Sequence, residues 1–241
     1  MAASIIALEE IDSTNAEARR KAEAGEVGPL WITARRQSAG RGRRGRAWET
    51  GEGNLAATYL FTTPRRLAEA AQISFVAALA VADMAGAFVP EALVALKWPN
   101  DLLIAGRKAA GILVESGALA DGRLWIAVGI GVNLAHAPDI PNRPTTTFAA
   151  HMRTPPPAPL DALGRLDEAL ERWRDLWARA AFPPVAEAWT ARAHGLGQAC
   201  VAHLPGETVE GVAVGLDVDG ALKLRTADGA VRRITAGDVF F

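Results

Sequence analysis

Two short stretches of the chain concentrate residue types that handle anions. Residues 36–48, RQSAGRGRRGRAW, place five arginines and three glycines in thirteen positions. Glycines at 40, 42 and 45 let the main chain approach a ligand closely, and Arg41, Arg43, Arg44 and Arg46 can fork onto phosphate or carboxylate oxygens. Residues 97–116, KWPNDLLIAGRKAAGILVES, hold Lys97 and Lys108, two of only four lysines in the chain, together with Asn100 and Asp101. Pro99 disfavours a helix at Trp98, so Asn100 and Asp101 are presented at a strand end, where a carboxylate and two ammonium groups can position a nucleotide and a second anion. A third stretch, GIGVNL at 129–134, sets Gly129 and Gly131 in an apolar strand, which suits close approach of a ligand or tight packing of another element. Taken one at a time, these stretches also fit a solvated loop or an RG-rich patch for RNA, a surface ion-pair cluster, and a tight crossing. The first matches neither a Walker A nor a Rossmann pattern.

The elements that must carry these residues can be read from periodicity. Thr14 followed by Glu17 is a capping-box pattern opening a helix that ends near Gly25. Residues 29–33 and 54–61 read as strands on either side of the arginine stretch, which is thus a long loop. Residues 72–89 predict a buried helix and 93–96 a short strand; 111–115 and 124–129 predict two strands joined through the Asp121-Gly122 turn. TPPPAP at 154–159 is a stiff connector. Residues 160–192 carry helical periodicity, with Leu163, Leu166, Leu170, Trp173 and Trp177 on one stripe. Beyond Leu196, short alternating runs broken by Pro205-Gly206, Asp219-Gly220 and Asp228-Gly229 predict a small all-β unit that leans on the rest.

Composition narrows the function classes. The 241 residues are half hydrophobic with a net charge of -1, enough for a substantial core and too neutral for bulk nucleic-acid binding. One cysteine, Cys200, makes no internal disulfide, and the acidic N-terminus lacks a signal-peptide pattern, so a reducing cytoplasm is expected. The longest apolar run, 73–89, is broken by Asp83 and shorter than a bilayer span, so no membrane segment is expected. His136, His151, His194 and His203 lack metal-ligand spacing, which argues against a structural metal.

Together GRGRRGRAW (40–48), KWPNDLLI (97–104), GRKAAGILVE (106–115) and GIGVNL (129–134), with DSTN (12–15) and a closing ITAGDV (234–239), resemble the biotin protein ligases in order and approximate spacing, over essentially the whole chain. The resemblance implies ATP-dependent formation of biotinyl-5'-AMP, with magnesium, and transfer of biotin to a lysine of the biotin carboxyl carrier domain of acetyl-CoA carboxylase or a related carboxylase. It implies Lys108, Arg43 and Asp101 as catalytic residues. It also implies a biotin site of Ser13, Thr14, Asn15, Gln37, Gly40, Arg41, Arg43, Trp48, Lys108, Gly111, Gly129 and Gly131. The implied ATP and adenylate site is Arg41, Arg43, Arg44, Arg46, Trp48, Lys97, Asn100, Asp101, Lys108 and Asn133. No residue is assigned to the metal.

The same resemblance implies an α+β fold: a mixed β-sheet flanked by helices, like class II aminoacyl-tRNA synthetases and lipoate ligases, over residues 1–194, and a small SH3-like β-barrel over 195–241. A homodimer is expected by analogy with relatives that pair sheets. DSTN at residue 12 leaves no room ahead of it for a helix-turn-helix, so no operator DNA is expected as a partner. The rival activities are a lipoate or octanoyl ligase of the same superfamily and a catalytically silent biotin-binding relative.

Overall fold

Along three adjacent strands, side chains alternate between bulk on one face of the sheet and near absence on the other. Strand β3 (Leu55–Thr63) pairs antiparallel with β7 (Leu124–Val132), and β7 with β6 (Arg107–Ala118). The register sets Ala56, Gly131 and Gly111 side by side, and Thr58, Gly129 and Leu113 next to them. Because successive strand residues point to opposite faces, Leu55, Tyr59, Ile130, Val128 and Ile112 fall on the other side, in the main core. One face is therefore filled and the other is hollow. The structure, a computed structural model, describes residues 3–141 and 143–241.

The sheet is completed by β1 (Ser4–Ile11), β2 (Leu30–Gln37), β4 (Val94–Lys97) and β5 (Asp101–Ile104), in the order β1-β2-β3-β7-β6-β5-β4. Only β1 and β2 run parallel, across α1 (Thr14–Glu23), so the sheet is mixed. Helix α1 covers part of the hollow face, packing Ala18 and Ala22 on Leu30, Ile32, Leu60 and Trp125. On the filled face lie α2 (Leu67–Ala70), α3 (Ile73–Gly86), α4 (Pro159–Ala180) and α5 (Pro183–Ala191). Leu163, Leu166, Leu170 and Trp177 of the predicted stripe are buried there. Trp173 is partly buried, its indole N–H donating to Asp83 Oδ2 at 2.8 Å.

Several local expectations need correction. The helix start is capped by Ser13, whose Oγ accepts from the Ala16 N–H at 3.5 Å, while Thr14 is the first helical residue. Glu17 does not close a capping box; its carboxylate pairs with Arg20 and Lys21 one turn on. The 160–192 helix is two helices, because Ala181 takes a positive φ of 57° and Pro183-Pro184 start the second. With α2, the helical stretch Leu67–Gly86 is long and apolar enough to cross a bilayer, contrary to the shorter run expected, yet most of it is buried against the sheet and α4. The C-terminal unit is a five-stranded antiparallel sheet, ordered β11-β10-β9-β8-β12. Its strands are β8 (Ala199–Leu204), β9 (Glu207–Leu216), β10 (Leu222–Arg225), β11 (Val231–Ile234) and β12 (Asp238–Phe240). β11 and β12 are its two edges, and no ladder joins them into a closed barrel among the described residues.

Candidate active site

The hollow face opens into a cleft of about 560 Å³, floored by the glycines and bordered by both anion-handling stretches. A Cβ at Gly131 would overlap the Trp48 indole, and one at Gly129 would overlap the Asn15 carboxamide. Gly111 is packed by Trp48 and by the Lys108 side chain, which a Cβ would meet at 3.1–3.3 Å. The glycines therefore make room for side chains that arrive from α1, from the 40–48 loop and from β6.

Strand irregularity aims the lysine. Simple alternation from Gly111 would turn Lys108 to the filled face. The β5–β6 register shifts between Leu102 and Leu103, leaving Ala109 as an extra residue: Leu102 faces Ala110 and Leu103 faces Lys108. Such a bulge reverses the facing of what precedes it, so Lys108 enters the cleft beside Asp101. Their Nζ–Oδ1 separation is 2.5 Å, with the two side chains 30% and 22% exposed. The ammonium also lies 5.6 Å from the centre of the Trp48 ring.

At one end of the cleft is a nearly dry polar network. Ser13, Thr14 and Asn15 are each 4% exposed, and the Thr58 hydroxyl is within reach of Thr14 Oγ1 (2.8 Å) and Asn15 Oδ1 (2.6 Å). Asn15 Nδ2 donates to Glu115 Oε2 at 2.7 Å. Gln37 lines the cleft, but its Oε1 accepts from the Thr14 N–H (2.9 Å) and its Nε2 donates to Thr50 (3.1 Å), so its amide is engaged in holding α1 and the loop. Such a set of donors and acceptors suits a small planar polar group.

The other end is cationic. Residues 40–48 form a narrow hairpin: the Gly42 N–H donates to the Arg46 carbonyl (2.7 Å) and the Trp48 N–H to the Gly40 carbonyl (2.9 Å). Arg43 Nη1 donates to Asn100 Oδ1 at 3.2 Å, while Asn100 Nδ2 donates to the Ile112 carbonyl at 2.6 Å. Burial pushes both the Arg43 guanidinium and the Lys97 ammonium below their ordinary pKa values, a cost that an anionic ligand would offset. Arg46 and Lys97 also line this end, whereas Arg41 lies toward the polar network, 4.0 Å from Glu115 Oε1. Asn133, 2% exposed, donates through Nδ2 to the Thr146 carbonyl at 3.3 Å, and its Oδ1 has no partner among the described residues.

Two expected residues stand off the cleft wall. Gly40 sits behind the hairpin, where a Cβ would collide with the Trp48 carbonyl. Arg44 occupies the hairpin tip with φ 57° and reaches Asp238 of β12 at 3.4 Å. Sequence reasoning missed Thr58, Glu115, Arg143, Asp238 and Phe240. Glu115 was accessible by counting in twos from Gly111; the last three depend on how the C-terminal sheet and the 135–148 loop fold back.

A mixed sheet with a glycine-floored cleft, a lysine–carboxylate pair and an arginine hairpin is equipped to bring two anionic substrates together, as a ligase must. The sequence pattern of the biotin/lipoate A/B protein ligase family matches residues 8–133, and that of the biotin protein ligase C-terminal domain matches residues 195–241. A biotin acetyl-CoA-carboxylase ligase of Paracoccus denitrificans is 43% identical over 95% of this chain and 97% of its own. Among solved structures, the Aquifex aeolicus biotin protein ligase in complex with biotin and ATP superposes with a TM-score of 0.80, at 26% identity over 98% and 97% of the two chains. The Leishmania major enzyme in complex with biotinyl-5-AMP superposes at 0.68, with 27% identity over 97% and 99%. The chain belongs to the biotin protein ligase family.

Proposed function

We propose that this chain joins biotin to a carrier-protein lysine through biotinyl-5'-AMP. The biotin carboxylate oxygen attacks the α-phosphorus of ATP, the bond to the β-phosphate breaks and pyrophosphate leaves. A lysine ε-amine then attacks the acyl carbon, AMP departs and the amine loses a proton. The observation that carries this reading is the position of Lys108, aimed by the Ala109 bulge between the dry polar network and the cationic end. There it neutralises carboxylate and α-phosphate as they close on each other.

Ser13, Thr14 and Asn15 would meet the ring end of biotin, and the Trp48 indole, which lies on Gly131 and Gly111, would lift from the glycine floor to admit and cover its apolar body. Arg43, Arg46 and Lys97 would hold the phosphates, with Asn133 Oδ1 positioned to accept from a nucleotide N–H. Magnesium would arrive on the ATP phosphates, with Asp101 and Asn100 as the nearby oxygen donors. Asp101 also stands where it would accept the proton of the incoming amine. Residues 1–194 would supply the catalytic domain and 195–241 a second domain. The acceptor is the carrier domain of acetyl-CoA carboxylase or a related carboxylase. We further infer a cytoplasmic homodimer with no operator-binding role; analytical ultracentrifugation and a gel shift with biotin-operon DNA check these two points.

The test is exchange of labelled pyrophosphate into ATP, with magnesium, against biotin and lipoate. Exchange with biotin alone is expected. Exchange with lipoate alone would move the chain to the lipoate branch, and no exchange from folded protein would reduce it to a binding relative.

A further inference from the structure

Strand β12 runs along the cleft: Val239 is buried, while Asp238 meets Arg46 and Phe240 meets Lys97. Three guanidinium groups from two separate loops converge on the Asp238 carboxylate. Arg46 Nη2 donates to both oxygens, at 2.7 and 2.6 Å; Arg44 Nη1 stands at 3.4 Å and Arg143 Nη2 at 3.5 Å. The carboxylate is itself 21% exposed, while the Arg46, Arg44 and Arg143 side chains keep 39%, 49% and 38% of their surface in contact with solvent. Phe240 adds a ring under Lys97 (5.4 Å) and Arg143 (6.0 Å). Without an anion at this point, cations packed so closely would repel one another and push the 40–48 hairpin outward.

We propose that Asp238 is a positioning residue: it ties the arginine hairpin and the 135–148 loop to the C-terminal sheet, so that the hairpin is held over the cleft before any nucleotide arrives. In this role Asp238 acts through Arg46, Arg44 and Arg143. Holding the hairpin also retains the acyl-adenylate, because an opened hairpin exposes it to water.

The physical readout is hydrogen exchange in peptides spanning 40–48 of the ligand-free protein, whose Gly42 and Trp48 amides close the hairpin. Asp238→Asn should lose roughly tenfold in protection, a charge-assisted contact having been removed, and Asp238→Glu should recover most of it. Arg46→Gln, at a side chain 39% exposed and outside the core, should give the same loss and add little when combined with Asp238→Asn. Protection equal to wild type in both single variants, or full additivity of their effects, overturns the proposal. The activity arm rests on the ligase function above: in biotin-dependent pyrophosphate exchange, Asp238→Asn should raise the KM for ATP several-fold with kcat nearly kept and release free biotinyl-adenylate, and Asp238→Glu should reverse both changes. If wild-type protein exchanges and Asp238→Asn matches it in KM and in released adenylate, the positioning role is refuted while the ligase assignment stands. If wild-type protein does not exchange at all, the ligase assignment fails and the hydrogen-exchange result decides the positioning role by itself.

Discussion

Replacing Lys108 with alanine removes the one ammonium that faces Asp101 at 2.5 Å in the middle of the cleft. The main chain at 108 is held independently, its N–H donating to the Pro144 carbonyl and its carbonyl accepting from the Thr146 N–H, both at 2.9 Å, so the strand and its bulge survive the change. Two estimates of the loss agree. A unit charge about 4 Å from another is worth about 4 kcal/mol at an effective dielectric near 20, and removing one preorganised donor from a developing anion costs about 10²–10³ in rate. In addition, Asp101 becomes an uncompensated carboxylate facing two incoming anions. Biotin-dependent pyrophosphate exchange should therefore fall by about 10³ in kcat/KM, near 4 kcal/mol. The double variant Lys108→Ala with Asp101→Asn should regain about tenfold over Lys108→Ala, because the repulsive charge is gone. Exchange by Lys108→Ala within about threefold of wild type would refute the neutralising role, since Lys97, across the β4–β5 ladder from Asp101, forms no salt bridge with it among the described residues and does not take the place of Lys108.

Gly131→Ala drives a Cβ into the Trp48 indole and should displace the ring from the cleft. About 60 Å² of lost apolar cover predicts a roughly tenfold weaker biotin Kd by titration calorimetry, with ATP binding less affected. Trp189→Ala empties a site 1% exposed where the indole packs edge-on against Phe75 at 5.5 Å. A loss of about 3–5 kcal/mol and a fall of roughly 10 °C in Tm are expected by calorimetry. The Asp238 carboxyl titrates below its ordinary value of 3.8: burial raises it, and the Arg46 hydrogen bond with the charges of Arg46, Arg44 and Arg43 outweighs that. A depressed carboxyl stabilises the fold above its unfolded pKa and ceases to as pH falls through the folded one. The stability gap between wild type and Asp238→Asn in urea titrations should thus be constant above about pH 5 and close below about pH 4.

What the sequence determined by itself is what lies within reach of a single strand or loop. The period-2 run GIGVNL already says that one face of β7 is glycine and the other Ile and Val, and that is the division between hollow and filled faces of the sheet. The arginine hairpin, the KWPND strand end and the Ser13-Thr14-Asn15 start of α1 are likewise legible, because each depends on neighbouring residue types. Tertiary structure decided the rest. Lys108 and Gly111 are three apart and should face opposite ways; they share the cleft because pairing with β5 forces a bulge at Ala109, and a bulge belongs to two strands rather than one. Gln37 lines the cleft as expected, and its bond to the Thr14 N–H arises only because β2 delivers its amide to the start of α1. Asp238, almost two hundred residues from Arg46, acquires its guanidinium partners only when the C-terminal sheet folds back over the cleft. Periodicity records which face a residue takes; which charge it meets there is set by long-range packing, in which local sequence has no part.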